Sequence, residues 1–119
     1  MRWGLLSCAL AVTLAAAAAA QEFRYMAKDT ITVAGTAIGF TDALVNPSVG
    51  PQATLATCTL ETGDVRYWVD GSTPTSSVGM YWTAATGPLS FGGNQILRQT
   101  KFIRVSGTSG VLNCSYTAP

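Results

Sequence analysis

The chain has 119 residues, with seven Lys+Arg against six Asp+Glu and no His. That length fits one small domain, and a formal charge of +1 gives no electrostatic footprint for nucleic acid or an anionic membrane surface. The absence of His removes the commonest general acid–base group and the commonest metal ligand together.

Met1 to Ala20 carries one cation at Arg2, an apolar run from Leu5 to Leu14 and six alanines ahead of Gln21-Glu22. A short charged start, an apolar stretch and small residues at a cleavage position (Ala18-Ala19-Ala20) make the layout of a secretory signal peptide, and the run is too short to span a bilayer. Residues 1–20 are therefore read as an apolar leader that touches a membrane only transiently, residues 21–28 as a linker and residues 29–119 as the folded domain. Two other readings stand beside this one. The alanines also suit a retained N-terminal helix packed in an assembly, and Met26-Ala27-Lys28-Asp29 has the form of an alternative start.

From residue 21 onward the chain holds 15 Thr, 8 Ser and 11 Gly, and no window of helical length keeps apolar residues at spacings of three and four. Thr suits a pleated surface while Gly and Ser mark frequent turns, so the composition predicts an all-β fold: a single jelly-roll-like sandwich of about eight short antiparallel strands. Thr30–Val33 alternates, Gly35 interrupts, and a short piece follows at Ala37–Phe40. Asn46–Pro51 holds two prolines and a glycine and reads as a loop. Ala53–Glu61 is a clear strand with Ala56, Cys58 and Leu60 on one face. After Gly63-Asp64, the segment Val65–Val69 puts Val65, Tyr67 and Val69 on one side and Arg66 and Trp68 on the other. Asp70-Gly71 ends it in a tight turn. Ser72–Ser77 is an exposed, proline-broken loop leading to Val78–Thr83, and short segments follow at Leu89–Phe91 and Gln95–Arg98. Lys101–Val105 and Val111–Tyr116 flank Gly107-Thr108-Ser109-Gly110, which reads as a hairpin link.

Cys8 sits inside the leader and reads as an apolar residue. Cys58 and Cys114 each fall on the inward face of a strand, which allows either one disulfide closing a 57-residue loop or two buried thiols, because alternation reports burial and says nothing about proximity. Without His, neither is a credible catalytic nucleophile.

The carboxylates Glu22, Asp29, Asp42, Glu61, Asp64 and Asp70 offer no evident pair for acid–base work. Asp64 and Asp70 bracket one strand, roughly 20 Å apart at about 3.3 Å per residue, and Glu61 and Asp64 flank a turn. No phosphate loop, metal-ligand motif or nucleophile elbow occurs, so neither an enzyme nor a cofactor is expected. Arg66, Trp68, Tyr81 and Trp82 invite a sugar-stacking platform, but aromatics at strand positions more often pack within a domain or between subunits. Asn113-Cys114-Ser115 matches a glycosylation sequon inside a predicted strand.

The run Val65-Arg66-Tyr67-Trp68-Val69-Asp70-Gly71-Ser72-Thr73-Pro74-Thr75-Ser76-Ser77-Val78-Gly79 resembles a stretch of small tailed-phage and prophage virion proteins. Their closing region is similar to Phe102-Ile103-Arg104-Val105 followed by Gly107-Thr108-Ser109-Gly110-Val111-Leu112-Asn113, and their start to Met26-Ala27-Lys28-Asp29, so the likeness covers roughly residues 26–117 in patches. It implies a β-sandwich virion component, a capsid decoration or minor head or tail protein, with no catalytic residues to carry over. The chain departs from the group in its leader and in Cys58 and Cys114, where aliphatic residues would stand. Both departures point to an oxidising or extracellular destination.

The sequence thus predicts a non-enzymatic structural protein located in a virion. Its expected partners are copies of itself, as a homo-oligomer such as a trimer, and other virion proteins, with no nucleic acid. Arg66, Tyr67, Trp68, Asp70, Gly71 and Trp82 are its candidate interface or turn residues. The alternative, from a different class, is a secreted or periplasmic module that recognises a glycan or a cell-surface partner.

Overall fold

The computed structural model describes residues 23–119, so the leader segment 1–20, Cys8 with it, lies outside the described residues. Eight strands form: β1 (Arg24–Val33), β2 (Ile38–Gly39), β3 (Leu55–Glu61), β4 (Val65–Trp68), β5 (Met80–Trp82), β6 (Leu89–Gly92), β7 (Lys101–Arg104) and β8 (Gly110–Ala118). Two short helices, α1 (Asp42–Val45) and α2 (Asn94–Gln99), sit in the connections. β1 takes up most of the expected linker, because Arg24, Tyr25, Ala27 and Lys28 find partners on β8 from Ala118 to Ser115.

The strands make two four-stranded antiparallel sheets, sheet A in the order β1-β8-β3-β6 and sheet B in the order β2-β7-β4-β5. Their pairing is nested: first with last, second with seventh, third with sixth, fourth with fifth. Only β4 and β5 pair with a neighbour in sequence. The Gly107–Gly110 link is accordingly no hairpin, since β7 belongs to sheet B and β8 to sheet A. Its glycines do reverse the chain, but the reversal carries it across the top of the core, and a Cβ at Gly110 would lie 2.7 Å from Val65 Cγ1. The predicted segment at Gln95–Arg98 is likewise helical. Six residues are too few to show a helical period, and α2 is fixed by tertiary contacts. Asn94 Nδ2 donates to the carbonyls of Val45 and Ala53 (3.1 and 2.8 Å), Leu97 is buried, and Thr100 Oγ1 donates to the Ile96 carbonyl at 2.7 Å.

The inward faces of both sheets share one apolar cluster in a sandwich-like arrangement. Ile31, Val33, Ala56, Leu60, Phe91 and Leu112 come from sheet A, and Val65, Tyr67, Trp82 and Phe102 from sheet B. Edge-to-face ring contacts join the layers: Phe91 lies 5.5 Å from Tyr67 and 5.8 Å from Phe102 between centroids, and Phe40 lies 5.2 Å from Phe102 and 5.9 Å from Tyr116. Each such pair contributes about 0.5–1.5 kcal/mol beyond the area it buries. Cys58 and Cys114 stand directly opposite each other on β3 and β8, the central strands of sheet A, with Cα atoms 4.1 Å apart and a bond joining their sulfurs. Both are buried.

Tyr116 is fully buried, and its hydroxyl donates to Asp29 Oδ2 at 2.8 Å, an oxygen that also accepts from the Thr41 amide at 3.3 Å. Burial first, and the Asp29 carboxylate second, push the Tyr116 phenol far above its ordinary value. Burial also raises Tyr67. A phenol that ionises near pH 10 when unfolded but resists ionisation when folded gives stability that is present below about pH 10 and lost above it. Urea unfolding between about pH 8 and 11 should show this fall. Tyr116→Phe should flatten it, and a slope identical in the variant would count against Tyr116 as its source.

Candidate contact surface

The two outer faces of this sandwich-like body differ. Across sheet B lies the connection from Val69 to Gly79, shaped by residues of the run from Val65 to Gly79. Arg66, half-buried on the outer side of β4, donates from Nη1 to the Gly79 carbonyl (2.8 Å) and from Nε to the Ser76 carbonyl (3.2 Å). Its guanidinium lies over the Tyr81 ring, 5.0 Å from the centroid, and the Tyr81 hydroxyl donates to Asp64. Asp70 Oδ1 accepts from the Ser72 amide at 3.0 Å, which holds its carboxyl below the usual range and closes the Asp-Gly turn. Thr75 Oγ1 accepts from the Val78 amide at 3.0 Å, and Pro74 is buried under the strap it belongs to. Gly79 has φ +139°, a conformation that favours glycine, and a Cβ there would crowd Arg66 Cβ at 3.1 Å and Pro74 Cβ at 3.2 Å.

The six candidates therefore separate. Arg66, Asp70 and Gly71 shape the strap. Tyr67 is 8% exposed and Trp82 not at all, so both rings serve the core, and Trp82 Nε1 donates to the Gly87 carbonyl at 3.1 Å. A ring enclosed by its own chain has no face to offer a partner. Trp68, the remaining candidate, sits half-buried beside Arg66 on the outer side of β4, opposite Lys101 of β7. Arg66→Met removes two bonds from a half-buried cation and should cost about 1–2 kcal/mol, concentrated in the strap. The readout is hydrogen exchange at the Val78 amide, where protection should drop about tenfold; unchanged protection would show that Arg66 does not pin the strap.

Among the described residues no such segment covers sheet A, and its outer face was not legible before the register was known. Reading across β1, β8, β3 and β6, successive rows are Tyr25, Thr117, Leu55, Gly92; then Lys28, Ser115, Thr57, Ser90; then Thr30, Asn113, Thr59; then Thr32, Val111, Glu61. Thr, Ser and Asn fill most of these positions, and the only charges are Lys28 and Glu61. Thr30 Oγ1 donates to Asn113 Oδ1 at 3.0 Å, and the Thr57 and Ser90 hydroxyls lie 3.3 Å apart. Neither Lys28 nor Glu61 forms an ion pair with another described residue. Tyr25, 64% exposed, stands at one corner. Such a face is adaptable in its hydrogen bonding and poor in charge, and depletion of charge is one mark of interface cores.

Among the described residues the carboxylates do not converge. Asp64 holds Tyr81, Asp70 closes its turn, Glu61 lies on the outer face of sheet A and Asp29 binds Tyr116 at the edge of the core. Among the described residues no three Cys, Asp or Glu side chains gather as metal ligands, and no helix is long and apolar enough to cross a membrane. A shallow cleft opens between β5 and β6, where Met80 and Ile96 are exposed beside Tyr67 and Phe91. In comparisons with known proteins, no family model matches the chain, and neither a curated protein nor a solved structure does.

Proposed function

We propose that the chain is a non-enzymatic structural component of a phage-like virion, acting through protein–protein contacts made by the outer face of sheet A. The observation that carries this reading is the asymmetry of the two faces among the described residues: one is closed by its own strap, the other is an open field of hydroxyl and amide side chains with two charges. In this reading the fold is a jelly roll, and the nested pairing with strand orders 1-8-3-6 and 2-7-4-5 supports it. The likeness of residues 65–79 to virion proteins covers a strand and the strap that Arg66, Asp70, Thr75 and Gly79 shape, and it supports a shared structural role. A homo-oligomer together with neighbouring virion proteins supplies the partners.

The Cys58–Cys114 bond favours a second reading in equal measure, an exported module that recognises a glycan or a cell-surface partner, because such bonds persist outside the reducing cytosol, on virion surfaces and in secreted proteins alike. That reading needs an exposed aromatic platform, for which Tyr81 and Tyr25 are available while Trp82 is not. Light scattering of the purified chain and of Thr59→Arg separates the two. The contact reading expects association by the parent chain and a monomer of unchanged melting temperature for the variant. A Thr59→Arg protein that associates like its parent would remove sheet A from consideration.

A further inference from the structure

Resting on the contact reading above, we infer that the partner of sheet A is a second copy of this chain, stacked face to face about a two-fold axis that passes beside Asn113. Identical surfaces that meet face to face are related by a two-fold axis lying in the plane between them. Such an axis exchanges positions across its own line. Opposite charges therefore meet only if a cation and an anion sit at equal distances on either side of it.

The register of sheet A supplies that arrangement. Lys28 on β1 is opposite Ser115 of β8, Asn113 is two residues further along β8, and Glu61 on β3 is opposite Val111, two residues beyond Asn113. Each step is one strand across and two residues along in the same direction, so Lys28, Asn113 and Glu61 lie on one diagonal with Asn113 at its midpoint. At about 4.8 Å between strands and about 3.3 Å per residue, each charge is roughly 8 Å from Asn113. An axis through Asn113 and perpendicular to the diagonal sets Lys28 against the partner's Glu61 and Glu61 against the partner's Lys28. The two amides meet at the centre, where each is able to donate and accept. The remaining contacts join Thr and Ser rows that carry no charge.

The only two charges of the face, unpaired among the described residues, thus become mutually complementary in the dimer. The ten positions from the Lys28 row to the Glu61 row that overlap in this register cover roughly 300 Å² per copy, or about 600 Å² in total, below the standard size of a specific interface, so the dimer is expected to be weak and transient, with a dissociation constant on the order of micromolar or above. Its closed symmetry also leaves the strap of each copy facing outward.

Sedimentation of the full chain, of Lys28→Glu, of Glu61→Lys and of the double exchange tests this register. All substitutions are at exposed strand positions, and thermal melts verify that each variant is folded. Either single reversal should raise the dissociation constant at least about tenfold by setting like charges opposite each other, and the double exchange should restore it to within about threefold. A double exchange as weak as the singles overturns the proposal. Association with sheet A still covered, yet indifferent to the reversals, overturns the two-fold register while leaving the contact reading intact. A chain that stays monomeric at every concentration overturns both.

Discussion

Replacing Cys58 and Cys114 together by Ala is expected to lower the unfolding free energy by about 4 kcal/mol, the chain-entropy value for releasing a loop of this length. The two residues are 56 apart in sequence, yet they are cross-strand neighbours at the centre of sheet A. In a domain of this size that loss corresponds to a melting temperature lower by roughly 15–30 °C. Reductant should reproduce much of the effect in the parent chain and none in the variant. Thermal melts of both proteins with and without a phosphine reductant provide the test, and a parent chain indifferent to reductant and to the double substitution would mean that the bond contributes nothing. The bond also bears on the contact surface. A slip of one residue between β3 and β8 would turn Thr57, Thr59 and Glu61 inward and bring Cys58 out, so the bond fixes the register that arranges the outer face.

Trp82→Ala should be the most damaging single substitution, at about 3–5 kcal/mol. Trp82 has no exposed surface, packs against Tyr67, Phe91 and Phe102 at 6.3–6.4 Å between centroids, and donates to the Gly87 carbonyl. Trp82→Phe keeps part of the ring contact and should lose less. Trp68→Ala, half-buried on the outer side of sheet B, should cost about 1 kcal/mol, the ordinary size for a point substitution. Chemical denaturation ranks the three. Any loss of association in Trp82→Ala should track the unfolded fraction, and a folded Trp82→Ala that fails to associate would restore this residue to the interface.

The strands were legible wherever polarity alternates: Ala56, Cys58 and Leu60 in β3, Val65 and Tyr67 in β4, and Leu112, Cys114 and Tyr116 in β8 all face inward as their spacing predicts. Which sheet receives a strand was not legible, because alternation distinguishes inward from outward and is silent about neighbours. That is why Gly107–Gly110 reads as a hairpin although it joins the two sheets. Trp82 reads as a surface candidate because Met80-Tyr81-Trp82 contains no polar residue to set a phase; the inward phase comes from its pairing with Val65. The strap was visible as an Asp-Gly turn and a proline-broken loop, but its position over sheet B depends on the reach of Arg66 to Ser76 and Gly79, ten and thirteen residues away. The candidate surface was present only as a Thr- and Ser-rich composition. Its diagonal of Lys28, Asn113 and Glu61 requires the register of three strands drawn from both ends and the middle of the chain.

Hydroxyl-radical footprinting of the native protein, diluted and concentrated, addresses the assignment of the contact face most directly. Protection of Val111 on concentration, with Tyr81 and Val78 labelled equally throughout, is the predicted pattern. Protection of Tyr81 and Val78, with Val111 labelled at all concentrations, would place the contact on the opposite side and contradict it.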